Sequence, residues 1–160
     1  MLKINKKVEY ALMALKFMAD KQVQELEGEN VLTSAREICD EFNIPFDTTA
    51  KVMQQMNNQE ILKSTKGIKG GYSLNKSLDE ITYMELVRLV EGKKEIGRVC
   101  SGNNGTCELF EKCNITTPVE KLNSKLNAFL ETLSLSELLL GAEFNRPTFP
   151  NTKYIQAGQL

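Results

Sequence analysis

The 160-residue sequence predicts a mainly α-helical protein carrying one small β-hairpin. Three observations lead there. Apolar residues recur at three- and four-residue spacing over 8–19 and again beyond Pro118, which is the period of a helix with one buried face. Two Ser/Thr-x-x-Glu signatures, Ser34 with Glu37 and Thr82 with Glu85, have the spacing of capping boxes and mark further helix starts. Only the stretch ILKSTKGIKGGYSLNK, residues 61–76, reads as two short strands around a glycine-rich turn.

The elements follow in order. Val8, Ala11, Leu12, Leu15, Met18 and Ala19 put one apolar face on a first helix. The polar run 22–30 breaks that pattern and reads as a connection. A short second helix starts behind the Ser34/Glu37 box and carries Ile38 and Phe42; Asn43 and Pro45 mark a turn after it. In the third helix Thr49, Val52, Met53 and Met56 share one face, and Asp47, Thr48, Lys51, Gln54 and Gln55 fall largely outside it. Two short helices across a tight turn make a helix-turn-helix candidate. The hairpin that follows holds Lys63, Lys66, Lys69 and Lys76 and no acidic residue. A basic hairpin directly after a helix-turn-helix is the wing of a winged-helix domain, in which the third helix enters the major groove and the lysines meet phosphates or the minor groove.

Beyond the wing, Ile81, Met84, Leu86, Val87 and Val90 give a fourth helix behind the Thr82/Glu85 box, and Gly92 is placed to end it. Pro118 suits a helix start. Leu122, Leu126, Phe129 and Leu133 then alternate four- and three-residue steps, the spacing of a helix-helix seam, which predicts a long dimerisation helix. The expected organisation is a winged helix-turn-helix domain over 1–78, a connecting helix over 79–98, a cysteine loop over 99–116, the dimerisation helix over 117–140 and a flexible tail over 141–160.

Composition bounds the chemistry. Hydrophobic content of 41% and charged content of 26% are those of a globular protein. The start MLKINKKVEYALMALKFMADKQ is no secretory signal, since Glu9, Lys16 and Asp20 interrupt its apolar residues, and no stretch is apolar enough to span a bilayer. A cytoplasmic setting without a membrane partner is expected, where thiols stay reduced. The chain has no histidine, so the usual base for a serine or cysteine nucleophile is missing, and no phosphate-binding glycine motif occurs. An enzyme is not expected. Net charge is -1, so DNA binding has to rest on local charge.

Three of the four cysteines, Cys100, Cys107 and Cys113, lie on the stretch CSGNNGTCELFEKC. Structural zinc usually uses tight Cys-x-x-Cys knuckles and four cysteine or histidine ligands, and neither is present. A disulfide would leave one thiol over. Three thiolates on a glycine-rich loop suit an iron-sulfur cluster, whose irons accept wider ligand spacing. Unmetallated redox thiols are the other reading of the same spacing.

The segments KKVEYALMAL, EICDEFNIPFDTTAKVMQQM, KSTKGIKGGYSL and ITYMELVRLVEG, together with the three-cysteine loop, make the chain resemble the Rrf-two family of bacterial transcription regulators, from Leu2 to about Leu140. That resemblance implies a homodimer that binds a roughly palindromic operator in double-stranded DNA, acting as a repressor governed by a cluster of the 2Fe-2S or 4Fe-4S type. It implies Cys100, Cys107 and Cys113 as cluster ligands. Some relatives add a histidine three residues after the third cysteine; Thr116 stands there in this chain. Others use a carboxylate from the first helix of the opposite subunit, and Glu9 occupies that position. On the DNA side the expected contacts are Thr48 and Lys51, with Asp47 at the helix start. In the wing, Lys66 matches a position where relatives often carry arginine, and Lys69 is nearby. Ala50 stands where relatives often carry glutamate, so the resemblance does not imply an identical operator preference. Two other classes remain: a thiol- or metabolite-responsive repressor of the same fold without a cluster, and a small iron-sulfur electron carrier or accessory protein, to which a basic wing would be of no use.

Overall fold

The computed structural model describes residues 4–24, 31–67, 70–92 and 112–141. Helix α1 (Lys6–Gln24) forms the spine. Val8, Ala11, Ala14, Leu15, Met18 and Ala19 are buried along it, and it packs on α3 (Phe46–Asn58) and α4 (Tyr83–Glu91). Helix α2 (Ala35–Phe42) opens with the predicted capping box: the Glu37 backbone N–H donates to the Ser34 hydroxyl and the Ser34 N–H donates to the Glu37 carboxylate. That exchange satisfies two of the donors a helix start leaves orphaned. Lys21 of α1 pairs with the same Glu37 at 2.7 Å, and the Phe17 and Phe42 rings meet edge to face, so α2 is fixed to α1 from both ends. Asn43 ends α2 in the left-handed region (φ 50°), and Pro45 precedes the first turn of α3. Thr49, Val52, Met53 and Met56 are all buried, as their shared face predicts.

Strands β1 (Leu62–Thr65) and β2 (Gly71–Leu74) form the antiparallel hairpin, with Lys63 opposite Ser73 and Ser64 opposite Tyr72. A third chain segment joins it. Thr33, just ahead of α2, exchanges two 2.9 Å backbone hydrogen bonds with Tyr72, which ties the wing to the helical body. Glycine at position 71 eases this crossing, because a Cβ there would lie 3.0–3.2 Å from the Thr33 backbone, closer than side chains normally pack. After a 3-10 turn (Leu78–Glu80), α4 begins with its own capping box, Thr82 with Glu85, and ends at Gly92.

The sequence predicts one helix over 117–140, and here the structure differs. It has α5 (Thr116–Thr132) and α6 (Leu135–Leu140), with Leu133 and Ser134 between them. The cause is a third capping box: Ser134 accepts from the Glu137 N–H while Glu137 accepts from the Ser134 N–H at 3.0 Å. The break is used for pairing. Tyr83 N–H donates to the Leu133 carbonyl and Leu135 N–H to the Ile81 carbonyl, both at 2.8 Å, and Arg88 pairs with Glu131 alongside. Pro118 falls within the first turn of α5, where its missing N–H leaves no bond unmade. The tail beyond Gly141, most of the cysteine loop and residues 93–98 of the connecting segment lie outside the described residues. No helix among the described residues is long and apolar enough to cross a membrane.

Candidate nucleic-acid interface and cysteine site

With its apolar face sunk in the core, α3 turns its other face to solvent. Asp47 and Lys51 are exposed one turn apart, Gln54 and Gln55 continue that face, and Thr48 is half-buried between it and the core. Thr49, by contrast, is wholly buried and returns its hydroxyl to the Pro45 carbonyl at 2.9 Å, which locks the first turn of α3. A helix anchored this way presents its N-terminal polar residues as one rigid set, the arrangement a major-groove reader needs. Lys63 and Lys66 are exposed on the first arm of the wing. Gly70 closes the hairpin tip, its N–H bonded to the Gly67 carbonyl at 2.9 Å, and a Cβ at that position would sit 2.4 Å from the Thr65 carbonyl oxygen. Lys69 lies outside the described residues.

One arginine was not anticipated from sequence. Arg36, exposed in the first turn of α2, lays its guanidinium over the Phe46 ring at 5.2 Å from the centroid. Its helical position gave no warning, because the aromatic partner comes from the next helix.

Of the cysteines, Cys113 is described; Cys100 and Cys107 lie outside the described residues. Cys113 is half-buried just before α5. Hydrogen bonding from the Thr116 side chain and from the Ile115 backbone holds its thiol below the usual thiol range. The Thr116 hydroxyl also reaches the Cys113 carbonyl at 3.4 Å. A thiol held toward its thiolate is the form that ligates metal or reacts. Cys39, the other described cysteine, is buried in α2.

Glu9 sits in the first turn of α1 and pairs with Lys6 at 2.8 Å, both side chains well exposed. The Glu9 carboxylate raises the Lys6 ammonium in return. Among the described residues no three metal-ligating side chains come together. What α5 does offer is an uncovered seam. Ile115, Leu122 and Leu126 are 56%, 67% and 40% exposed, and burial begins only at Leu130.

The Rrf2 family model, described as an iron-dependent transcriptional regulator, matches residues 4–140. The chain is 23% identical over 135 residues to the HTH-type transcriptional regulator NsrR of Shouchella clausii, covering 84% of this chain and 87% of that one. To the HTH-type transcriptional regulator IscR of Photorhabdus laumondii it is 25% identical over 142 residues, covering 89% and 82%. Among solved structures it is similar to CymR (YrzC), the global cysteine regulator of B. subtilis, with a TM-score of 0.62 at 24% identity, over 89% of this chain and 100% of that one.

Proposed function

Because this chain belongs to the Rrf2 family of transcriptional regulators, we propose that it is a homodimeric, DNA-binding repressor controlled by an iron-sulfur cluster, responding to redox state, nitric oxide or iron supply. Its mainly helical body with a two-stranded wing is the winged-helix fold of that family. The observation that carries the reading is the match over residues 4–140 to a family model described as an iron-dependent transcriptional regulator, in a chain that holds three cysteines within residues 100–113.

In this reading Cys100, Cys107 and Cys113 hold the cluster and Glu9 of the partner subunit supplies the fourth ligand. Three thiolates and one carboxylate fit cluster iron, the carboxylate being the harder and weaker donor. When bound, such a cluster supplies iron whose ligation responds to oxidants and small molecules. The chain's own residues do the rest. The Ile115 amide and Thr116 hydroxyl favour the Cys113 thiolate; Lys6 releases Glu9 from an exposed ion pair of a kind that holds weakly. The α5 seam pairs two protomers and sets the spacing of two α3 helices, which have to engage both half-sites together. Asp47, Thr48 and Lys51 face the bases, while Lys66 and Lys69 reach the backbone or minor groove.

The test is anaerobic purification followed by native mass spectrometry with visible absorption, on wild type, Cys107→Ala and Glu9→Ala. A dimer of cluster mass, abolished in Cys107→Ala and more readily lost in Glu9→Ala, is the expected result. Reconstituted wild type of apo mass only would overturn the cluster. A second reading has its own support: the depressed Cys113 thiol and the likeness to CymR favour a thiol-responsive regulator without metal. Iron and acid-labile sulfide analysis of the same preparation separates the two.

A further inference from the structure

We propose that Arg36, on the first helix of the helix-turn-helix, contacts a DNA phosphate, and that Phe46 holds its guanidinium ready for that contact. The proposal rests on the DNA-binding reading above and adds a residue to it. Three observations converge on it.

The first is charge. Residues 35–58, the two helices of the motif, carry four carboxylates (Glu37, Asp40, Glu41 and Asp47) and two cations, Arg36 and Lys51. A surface with net negative charge repels a duplex unless its cations stand where phosphates approach. Glu37 is neutralised by Lys21 of α1, but Asp47 is exposed in the first turn of α3, the end that a helix-turn-helix brings to the groove in the DNA-binding reading. Arg36 is the sole cation of α2, and its partner Phe46 is the residue before Asp47, so its positive charge sits where that repulsion has to be offset.

The second is geometry. The guanidinium lies 5.2 Å from the centroid of Phe46, the first residue of α3. Phe46 is 44% exposed, a large aromatic left in solvent at the mouth of the recognition helix. A cation resting on an aromatic face keeps its edge donors free, so stacking orients the fork without consuming it. The third is availability. Arg36 makes no ion pair with any described residue, although Asp40 lies one helical turn along. The first helix of such a motif crosses the DNA backbone while the start of the second reaches the bases. An arginine on the former, leaning on the first residue of the latter, is placed for the phosphate at the groove edge.

The experiment uses the full-length protein and a duplex that wild type selects from a random pool, with a mixed-sequence duplex for comparison. Affinity is read by fluorescence anisotropy across a salt series for wild type, Arg36→Ala, Arg36→Lys and Phe46→Leu, each checked by circular dichroism for an unchanged fold. In a dimer Arg36→Ala removes two phosphate contacts, so the slope of log K against log salt becomes shallower by roughly 1.8, and affinity falls on both duplexes alike. Arg36→Lys keeps the slope. Phe46→Leu also keeps it but weakens binding by about two- to fivefold, through loss of the stack. An unchanged slope and affinity in Arg36→Ala overturns the proposal; so does a loss confined to one base pair of the selected site, which would make Arg36 a base reader. If wild type selects no duplex at all, the failure lies with the DNA-binding reading itself.

Discussion

Replacing Leu122 and Leu126 together by glutamate separates folding from assembly. Both side chains are mostly in solvent in the single chain, at 67% and 40% exposure. The double substitution therefore removes little from the protomer's own core and adds charge to a surface already open to water. In a dimer paired along α5 the same side chains are covered. Burying a leucine fully contributes about 1.5–3 kcal/mol; scaled to the fraction still exposed, two leucines on each of two helices contribute roughly 3–6 kcal/mol. Their loss weakens dimerisation by about two to four orders of magnitude, before counting repulsion among four carboxylates. Sedimentation velocity over a range of concentrations reads this directly, and circular dichroism reports whether the helices persist. The expected outcome is a folded monomer that fails to hold a palindromic duplex. If the double variant remains a dimer of wild-type affinity, the seam is not the interface. If it unfolds as a monomer, Leu122 and Leu126 support the protomer in a way their exposure denies.

Three further outcomes follow from the described contacts. Gly71→Ala forces a Cβ to within 3.0–3.2 Å of the Thr33 backbone; neither atom set can rotate away, and urea unfolding should show a loss of about 1–3 kcal/mol. Thr33→Val acts in the opposite direction at the same crossing, since the buried Thr33 hydroxyl has no hydrogen-bond partner among the described residues; removing it should raise stability by about 1 kcal/mol in the same assay. For metal-free protein, alkylation of Cys113 by iodoacetamide should reach half its maximal rate at a lower pH than free cysteine, because a depressed thiol ionises earlier as pH rises. Thr116→Ala should move that midpoint up, and no movement would remove the hydroxyl from the account.

Much of the fold was legible because its signals are local. Capping boxes at Ser34 and Thr82 act over three residues, and the buried face of α3 is a simple periodicity. The break at Ser134 carries the same Ser-x-x-Glu signature, yet it is masked by apolar residues that run through it: Leu133, Leu135, Leu138, Leu139 and Leu140 extend the seam pattern as if the helix continued. What ends α5 is a cap together with backbone pairing to Ile81 and Tyr83, some 50 residues away, and no window of sequence contains both. Arg36 was missed for the same reason, since its role is set by an aromatic on the next helix. Thr33 gives no strand signal because it makes a single bridge to Tyr72. Within the candidate site, Glu9 could be singled out from sequence, but its pairing with Lys6 emerged only when α1 placed the two side chains on one face.

The pairing of Leu133 and Leu135 with Tyr83 and Ile81 also makes α5 a lever. The helix is rooted at its C-terminal end by those two bonds, by the Arg88–Glu131 pair and by the buried Leu130 and Leu133, and toward its other end, which Cys113 precedes, Ile115, Leu122 and Leu126 are uncovered. Seventeen residues make an arm of about 25 Å. A displacement of about 2 Å at the cysteine end, on the scale of a changed bond set, then corresponds to a rotation of only about 5° at the root. The gearing favours a small swing at the fulcrum, and the fulcrum is joined to α4, which packs on the recognition helix. Since the hinge bonds are made by backbone atoms, most side-chain changes at Leu133 or Leu135 would leave them intact. Proline at Leu135 would remove one of the two hinge bonds, the one to the Ile81 carbonyl, and leave the Tyr83–Leu133 bond to bear the mount alone.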